Sequence, residues 1–316
     1  MRRALIPFLS AGPTVGGQAV IEGVMMRAKN RLAIAVRKPD GEIVVEVRPW
    51  FSLTGASLLR KPFLRGFPVL METLVNGIKA LNFSAMQSAE GEEGESELTP
   101  WHLVLTMVVA LSVALGLFVV VPHVLSVVMQ WLGLSGDVDS LSFNAWDGFY
   151  KMLVFVGYIG IISFVPDIRR VFQYHGAEHK VIWSFENGEE MTVANARANS
   201  RLHPRCGTSF LLFVLAVSIM LHTVLVPLLL TFYKPEVAIV KHLYIVAAKL
   251  LFMVPVSCVA YEIIRFAGKF NSNLLCRMLC WPGLVLQMLT TKEPDDSQIE
   301  VAMAALKCAV SEEGSC

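Results

Sequence analysis

Residues 103–129 form an almost unbroken apolar run, closed by Trp101 at one end and Trp131 at the other. A helix needs ~20 apolar residues to cross the hydrocarbon core of a bilayer, and tryptophan gathers at its two interfaces. A water-soluble fold would have to bury this run on every side. The whole chain shares the bias: 54% of its 316 residues are hydrophobic, 17% are charged, and its mean hydropathy is +0.56, which suits lipid as the solvent. Further candidate spans are 149–165 and 209–232, the latter carrying His222. Between 237 and 264 the apolar run is interrupted by Lys241, His242 and Lys249, so the crossing part is read as 250–264, with the preceding residues in the interface.

Basic residues set the orientation. The stretch 132–148 lacks Lys and Arg, whereas 167–207 carries Arg169, Arg170, Lys180, Arg197, Arg201 and Arg205. Excess Lys and Arg marks the cytoplasmic side, which places 167–207, the N-terminal segment and the tail from Arg265 inside, and 132–148 outside. No cleavable leader is expected, because Met1-Arg-Arg precedes only a short apolar stretch interrupted by Pro7. The expected product is a mainly α, multi-pass protein of the inner cell membrane, with about four spans and both termini cytoplasmic. Its parts are a cytoplasmic segment 1–89, an acidic linker 90–100, spans one and two within 101–166, a cytoplasmic loop 167–207, spans three and four within 208–266, and cytoplasmic helices 267–316.

Within the first segment, the β-branched runs 32–36 and 43–47 flank Lys-Pro-Asp-Gly-Glu at 38–42, which predicts a β-hairpin. Apolar positions 67, 70, 71, 74, 75, 78 and 81, with Glu72, Asn76 and Lys79 opposite, predict an amphipathic helix on the inner leaflet or against the bundle. Gly16, Gly17 and Gly23 lie in a segment without the Gly-Lys-Ser/Thr of a phosphate loop and read as a tight packed turn. An alternative is that Glu22 and Arg27 line a site shared with the motif below. A net charge of +1 gives no reason to expect a nucleic-acid partner. Reduced thiols are expected at all six cysteines, and Cys276 and Cys280, though four residues apart, sit in an apolar stretch where cysteine behaves as a small hydrophobe.

The chemistry-bearing motif is His175-Gly-Ala-Glu178-His179, which reads H-x-x-E-H, the zinc-binding helix of the inverted zincins. Imidazoles four residues apart leave one helical face and reach one divalent ion, and the glutamate beside them can act as a general base. The plain alternative is an amphipathic helix end at a membrane surface. Gly176 costs the helix ~1 kcal/mol relative to alanine, so a neighbour or ligand is expected to approach there. A catalytic zinc takes three protein ligands and an open position. Candidates for the third are Glu262, His203 and Cys206, in that order, because a carboxylate at the inner end of a membrane helix needs a partner. If His203 and Cys206 both joined the two histidines, the site would be closed and structural.

The blocks Gly17-Gln-Ala-Val-Ile-Glu-Gly-Val-Met-Met-Arg27, Asp167-Ile-Arg-Arg-Val-Phe-Gln-Tyr-His-Gly-Ala-Glu-His-Lys180, His203-Pro-Arg-Cys-Gly-Thr-Ser209 and Tyr261-Glu-Ile-Ile-Arg265 together resemble those of the YqhQ-like bacterial membrane proteins. So does Thr290-Thr-Lys-Glu-Pro-Asp-Asp296. The resemblance implies a metal-dependent enzyme and carries no substrate with it. Two functional readings follow. In the first, the chain is a membrane hydrolase using zinc or another divalent ion, with Glu178 as base and Arg205 or Arg27 facing the developing oxyanion, acting on a peptide or lipid-linked substrate. In the second it is a non-enzymatic scaffold or transport component with a structural metal. A permease is less favoured, because few charges lie within the spans.

Overall fold

Four antiparallel strands, β1 (Val15–Val20), β2 (Gly23–Ala28), β3 (Arg31–Arg37) and β4 (Ile43–Pro49), form one sheet in sequential order. The computed structural model describes residues 15–55, 58–89, 100–204, 206–269 and 274–311. The expected hairpin is present: Gly41 takes φ 91 and the Lys38 amide donates to the Glu42 carbonyl at 2.9 Å, setting Val36 opposite Val44. A second hairpin precedes it where the glycine spacing predicted only a packed turn. Its strands meet through Ile21 and Glu22, with Glu22 at φ 51. Gly23 is needed there, since a Cβ would fall 2.2 Å from the Ala35 carbonyl oxygen. β1 has few β-branched residues, so its strand state comes from pairing rather than propensity.

The helices are α1 (Gly66–Ser88), α2 (Pro100–Leu115), α3 (Val121–Trp131), α4 (Leu141–Ile162), α5 (Pro166–Glu186), α6 (Val193–Ala198), α7 (Gly207–Phe232), α8 (Ala238–Leu251), α9 (Met253–Lys269), α10 (Leu274–Thr290) and α11 (Asp296–Val310). A π-helical turn, Gly116–Val120, joins α2 to α3. Most residues are therefore helical, and four stretches are long and apolar enough to cross a membrane: Val108–Trp131, Leu141–Ile162, Phe213–Phe232 and Ala238–Ile263. Two of these depart from the expected limits. The second begins at Leu141, capped by Ser140 on the Phe143 amide at 3.1 Å, and so takes in Asp147 besides Lys151, which already lay within the expected limits. The fourth runs through Lys241 and Lys249 instead of starting at 250, because both ammonium groups have carboxylate partners, Asp137 at 3.0 Å and Asp147 at 2.8 Å.

The sheet is covered on both faces by helices far away in sequence. Val24, Met26, Ala33 and Ala35 pack with Tyr174, Ala177 and Val181 of α5 and with Ile299, Ala302 and Leu306 of α11. The opposite face, Met25, Leu32, Ile34 and Val36, packs with Trp50 and with Ala80 of α1. Alternation along each strand thus serves two cores. Asp295 starts α11 with a reciprocal capping box to Gln298. The amphipathic α1 is turned polar side inward: Glu72, Asn76 and Ser84 are buried, while Leu74, Ile78 and Leu81 are exposed. The cause is Glu72, whose carboxylate accepts from Trp50 Nε1, Ser52 Oγ and the amides of Leu53 (2.6 Å) and Thr54 (2.7 Å). The linker 90–99 and Arg205 lie outside the described residues, as do the side chains of Cys276 and Cys280. Cys308 is disulfide-bonded, which departs from the expectation of reduced thiols.

Candidate metal centre

Helix α5 starts at Pro166, whose missing N–H is harmless in a first turn, and stops at Asn187, with Gly188 at φ 66. Its middle is buried between the sheet and the segment joining α10 to α11. Gly176 makes the second contact possible, since a Cβ there would sit 2.1 Å from the Lys292 carbonyl oxygen. The expected close approach is therefore by backbone. The Lys292 amide in turn donates to the Phe172 carbonyl at 2.8 Å.

This docking orients the motif. A carbonyl can only accept, so His175 Nδ1 must donate to the Thr290 oxygen at 2.8 Å, and His179 Nδ1 to the Arg201 oxygen at 2.6 Å. Each ring is thereby held in the tautomer that leaves Nε2 as a lone pair, the arrangement in which metal-ligating histidines are held by their outer partners. His175 Nε2 lies 3.2 Å from Cys206 Sγ, and His179 Nε2 is buried without a hydrogen bond of good geometry. One ligand atom from each of His175, His179 and Cys206 lies within 4.8 Å of the others. Two imidazole nitrogens and a thiol suit zinc, and the buried Nε2 of His179, which has no hydrogen-bond partner, offers its lone pair as a ligand. Burial holds His179 below the usual imidazole range, against the pull of the Cys206 sulfur, and so favours the neutral, ligating form.

Glu178 sits beside this cluster. Burial pushes its carboxyl up to about 8, with Cys206 adding to the rise, while His175 and a hydrogen bond from the Gly17 amide pull it back. Its Oε2 has no hydrogen-bond partner. Gly17 is small for a reason: a Cβ would fall 2.9 Å from the Glu178 carboxyl and 2.8 Å from the Met25 carbonyl oxygen. Glu178, His179, His203 and Cys206 line a cavity of ≈ 210 Å³ together with Arg27 and Trp50, the guanidinium lying 3.8 Å from the indole centroid.

Residues 61–312 match a family described as protein of unknown function (DUF1385). The chain belongs to that family. It is also 36% identical over 306 residues to the uncharacterized protein YqhQ of Bacillus subtilis (strain 168), covering 92% of this chain and 90% of that protein. No solved structure matches.

In this DUF1385 chain the candidates separate. Cys206 stands with the two histidines, and Glu262 does not. Both Glu262 oxygens are taken by Arg65, at 2.8 and 2.6 Å, so the carboxylate finds its cation at the start of α1 instead of at a metal. The i+3 partner, Arg265, is not the one used in this pairing. His203 lies near, its ring centroid 5.8 Å from that of His179, but its Nε2 turns to Glu186 at 3.3 Å and it is not among the three clustered ligands. Arg27 lines the cavity as expected, while Glu22 pairs with Arg170 and accepts from the Tyr174 hydroxyl. Sequence reasoning passed over the residues that hold the site: the carbonyls of Thr290 and Arg201, and Gln287, which clamps the His203 backbone from both sides at 2.8 and 2.9 Å. Gly176 was the one signal for them.

Proposed function

We propose that the chain is a zinc-dependent hydrolase of the inner cell membrane. Its site lies where α5 meets the cytoplasmic end of α7, and its substrate is a peptide or a lipid-linked molecule. The four long apolar helices, and the basic residues concentrated between the second and third, support four spans with both termini inside. One observation carries the chemical reading: both motif histidines are fixed by backbone carbonyls so that their Nε2 atoms turn toward Cys206, beside a buried carboxyl with an unpartnered oxygen and a cavity. His175, His179 and Cys206 would hold the ion; His203, engaged with Glu186, would leave the fourth position open, as catalytic zinc requires. When bound, zinc supplies Lewis acidity and lowers the pKa of a coordinated water.

The protein's own groups do the rest. Glu178 Oε2 takes a proton from the attacking water and returns it to the leaving amine or alkoxide, while the Gly17 amide fixes the orientation of the carboxyl. A base whose pKa is raised by burial can both accept and release that proton near neutral pH. Arg27, steadied on Trp50, faces the cavity where negative charge would develop. The outward apolar face of α1, with Leu74, Ile78 and Leu81, suits the inner leaflet and places Thr73 at the cavity edge.

The test is metal content and genetic complementation of the full-length protein. Wild type and Glu178→Gln should retain zinc, whereas His179→Ala and Cys206→Ser should lose it; Glu178→Gln should fail to complement, because an amide cannot accept the proton. If Glu178→Gln complements fully while His179→Ala loses metal and fails, the metal is structural and the scaffold reading replaces this one. Wild-type protein that binds no divalent ion would remove both.

A further inference from the structure

The two margins of the described sheet differ in kind. In the order β1-β2-β3-β4 the outer strand β4 carries Glu46, Arg48 and Pro49, residues that discourage a further strand from pairing there. At the other margin β1 reads Val-Gly-Gly-Gln-Ala-Val, with no charge and no proline. Its backbone is also open to approach, since a Cβ built on Gly16 would meet nothing within 4 Å. Glycine inside a strand weakens it and often marks a place where another backbone comes close.

This unprotected edge borders the metal centre. Successive residues of a strand point to opposite faces, and Gly17 lies against Glu178 of α5 while Gln18 lies against Gly77 of α1. The cavity beside the metal ligands is lined from both sides, by Glu178 and His179 on the first and by Gln18, Met25, Trp50 and Thr73 on the second. A space reached from both faces of β1 lies off its edge. The backbone agrees: the Gly17 amide donates to the Glu178 carboxyl, so Gly17 and Met26 form a non-hydrogen-bonded pair of the β1–β2 ladder. By the same alternation the N–H and C=O of Ala19 and the C=O of Gly17 turn outward. The proposed general base is thus bonded to the strand edge itself.

We propose that the substrate is a polypeptide segment, bound in extended form as an added strand on the outer edge of β1. This inference rests on the hydrolase reading above and narrows its substrate. The segment's backbone pairs with the outward groups of Gly17 and Ala19, which a lipid-linked molecule lacking a peptide backbone cannot use. Pairing along β1 carries a carbonyl of the segment past Gly17, next to Glu178. There a water oxygen bonds to the carbonyl carbon, the amide C–N bond breaks, and the proton lost by the water passes through Glu178 Oε2 to the leaving nitrogen. Atoms and charge balance without an oxidant or reductant. Main-chain pairing supplies affinity for any sequence, and the alternate side chains of the segment set selectivity.

The probe is a mixture of end-blocked octapeptides of randomised sequence, incubated with zinc-loaded full-length protein in lipid nanodiscs and read by mass spectrometry. Cleavage that Glu178→Gln abolishes is expected. In a cleaved peptide, N-methylation should raise KM about 2- to 10-fold at positions spaced by two and leave the position between them unaffected, because every second amide faces the edge. Ala19→Pro removes one outward N–H and spares the β2 ladder, so it should raise KM by a similar factor while kcat, bound zinc and melting temperature stay near wild type. If wild type cleaves none of the mixture while Glu178→Gln still loses complementation and keeps zinc, the hydrolase reading stands and the peptide inference falls. Cleavage without the alternating N-methyl pattern, or an unchanged KM in a folded Ala19→Pro variant, overturns strand addition. Should Ala19→Pro fail to fold, the N-methyl series decides alone.

Discussion

Replacing Gly176 by alanine sets local propensity against tertiary contact. In an isolated helix the change stabilises by ~1 kcal/mol. Here the new Cβ would lie 2.1 Å from the Lys292 carbonyl oxygen, a backbone atom that cannot rotate away. Overpacking of a closed site costs ~1–3 kcal/mol, and a backbone clash this close belongs at the upper end, so the net loss is ~2 kcal/mol, about a 30-fold shift toward the unfolded state. The displaced segment also carries the Thr290 and Thr291 carbonyls that hold His175 and Arg201, so zinc affinity should fall together with stability. The assay is equilibrium denaturation in detergent, with Gly160→Ala as control, because no atom lies within 4 Å of a Cβ built on that α4 glycine. Gly176→Ala that unfolds with or after wild type, and behaves like Gly160→Ala, would refute the docking of residues 290–292 on α5.

Gly17→Ala should destabilise by about 1–3 kcal/mol and Gly16→Ala hardly at all, since only the former meets Met25 and Glu178; equal melting temperatures for the two would contradict the packing. Glu72→Gln should cost about 1–3 kcal/mol at neutral pH: its remaining oxygen can stay with the amides of residues 53 and 54, but its NH2 would then face the buried Trp50 Nε1 donor with no acceptor there. Burial pushes the Glu72 carboxyl up, but the hydrogen bonds from Thr54, Ser52 and Trp50 outweigh it and hold it below its ordinary value. Its stabilisation is therefore full above the unfolded value of ~4.3 and lost as pH falls through the lower folded one, so the difference between wild type and Glu72→Gln in an acid-denaturation series should shrink below about pH 4. Glu262→Gln should loosen the joint between α1 and α9 by about 1–2 kcal/mol, between the values for exposed and buried pairs, and leave bound zinc unchanged. Loss of zinc in that variant, measured by elemental analysis, would return Glu262 to the ligand set.

Local pattern decided much of this protein. Apolar runs of bilayer length are legible residue by residue, because lipid imposes both length and composition on any helix that crosses it. The 38–42 turn and the His175–Glu178–His179 spacing are equally local, since a turn and a helical face are set within a few residues. What the chain did not disclose is pairing at a distance. Glu262 reads as an isolated acid until α1 folds back and brings Arg65 to it, nearly two hundred residues earlier in the chain. Lys249 reads as an interruption of a span until Asp147 of another helix neutralises it. Cys206, the third of three candidates by residue type, joins the histidines because the carbonyls of Arg201 and Thr290 aim their rings, and carbonyl positions are a property of backbone packing that no side-chain pattern encodes. The sequence by itself determined which elements form and which side chains can bind metal or carry charge. The tertiary structure decided which of those groups meet, because the free energy of a buried charge or ligand depends on partners that are neighbours only in the folded chain.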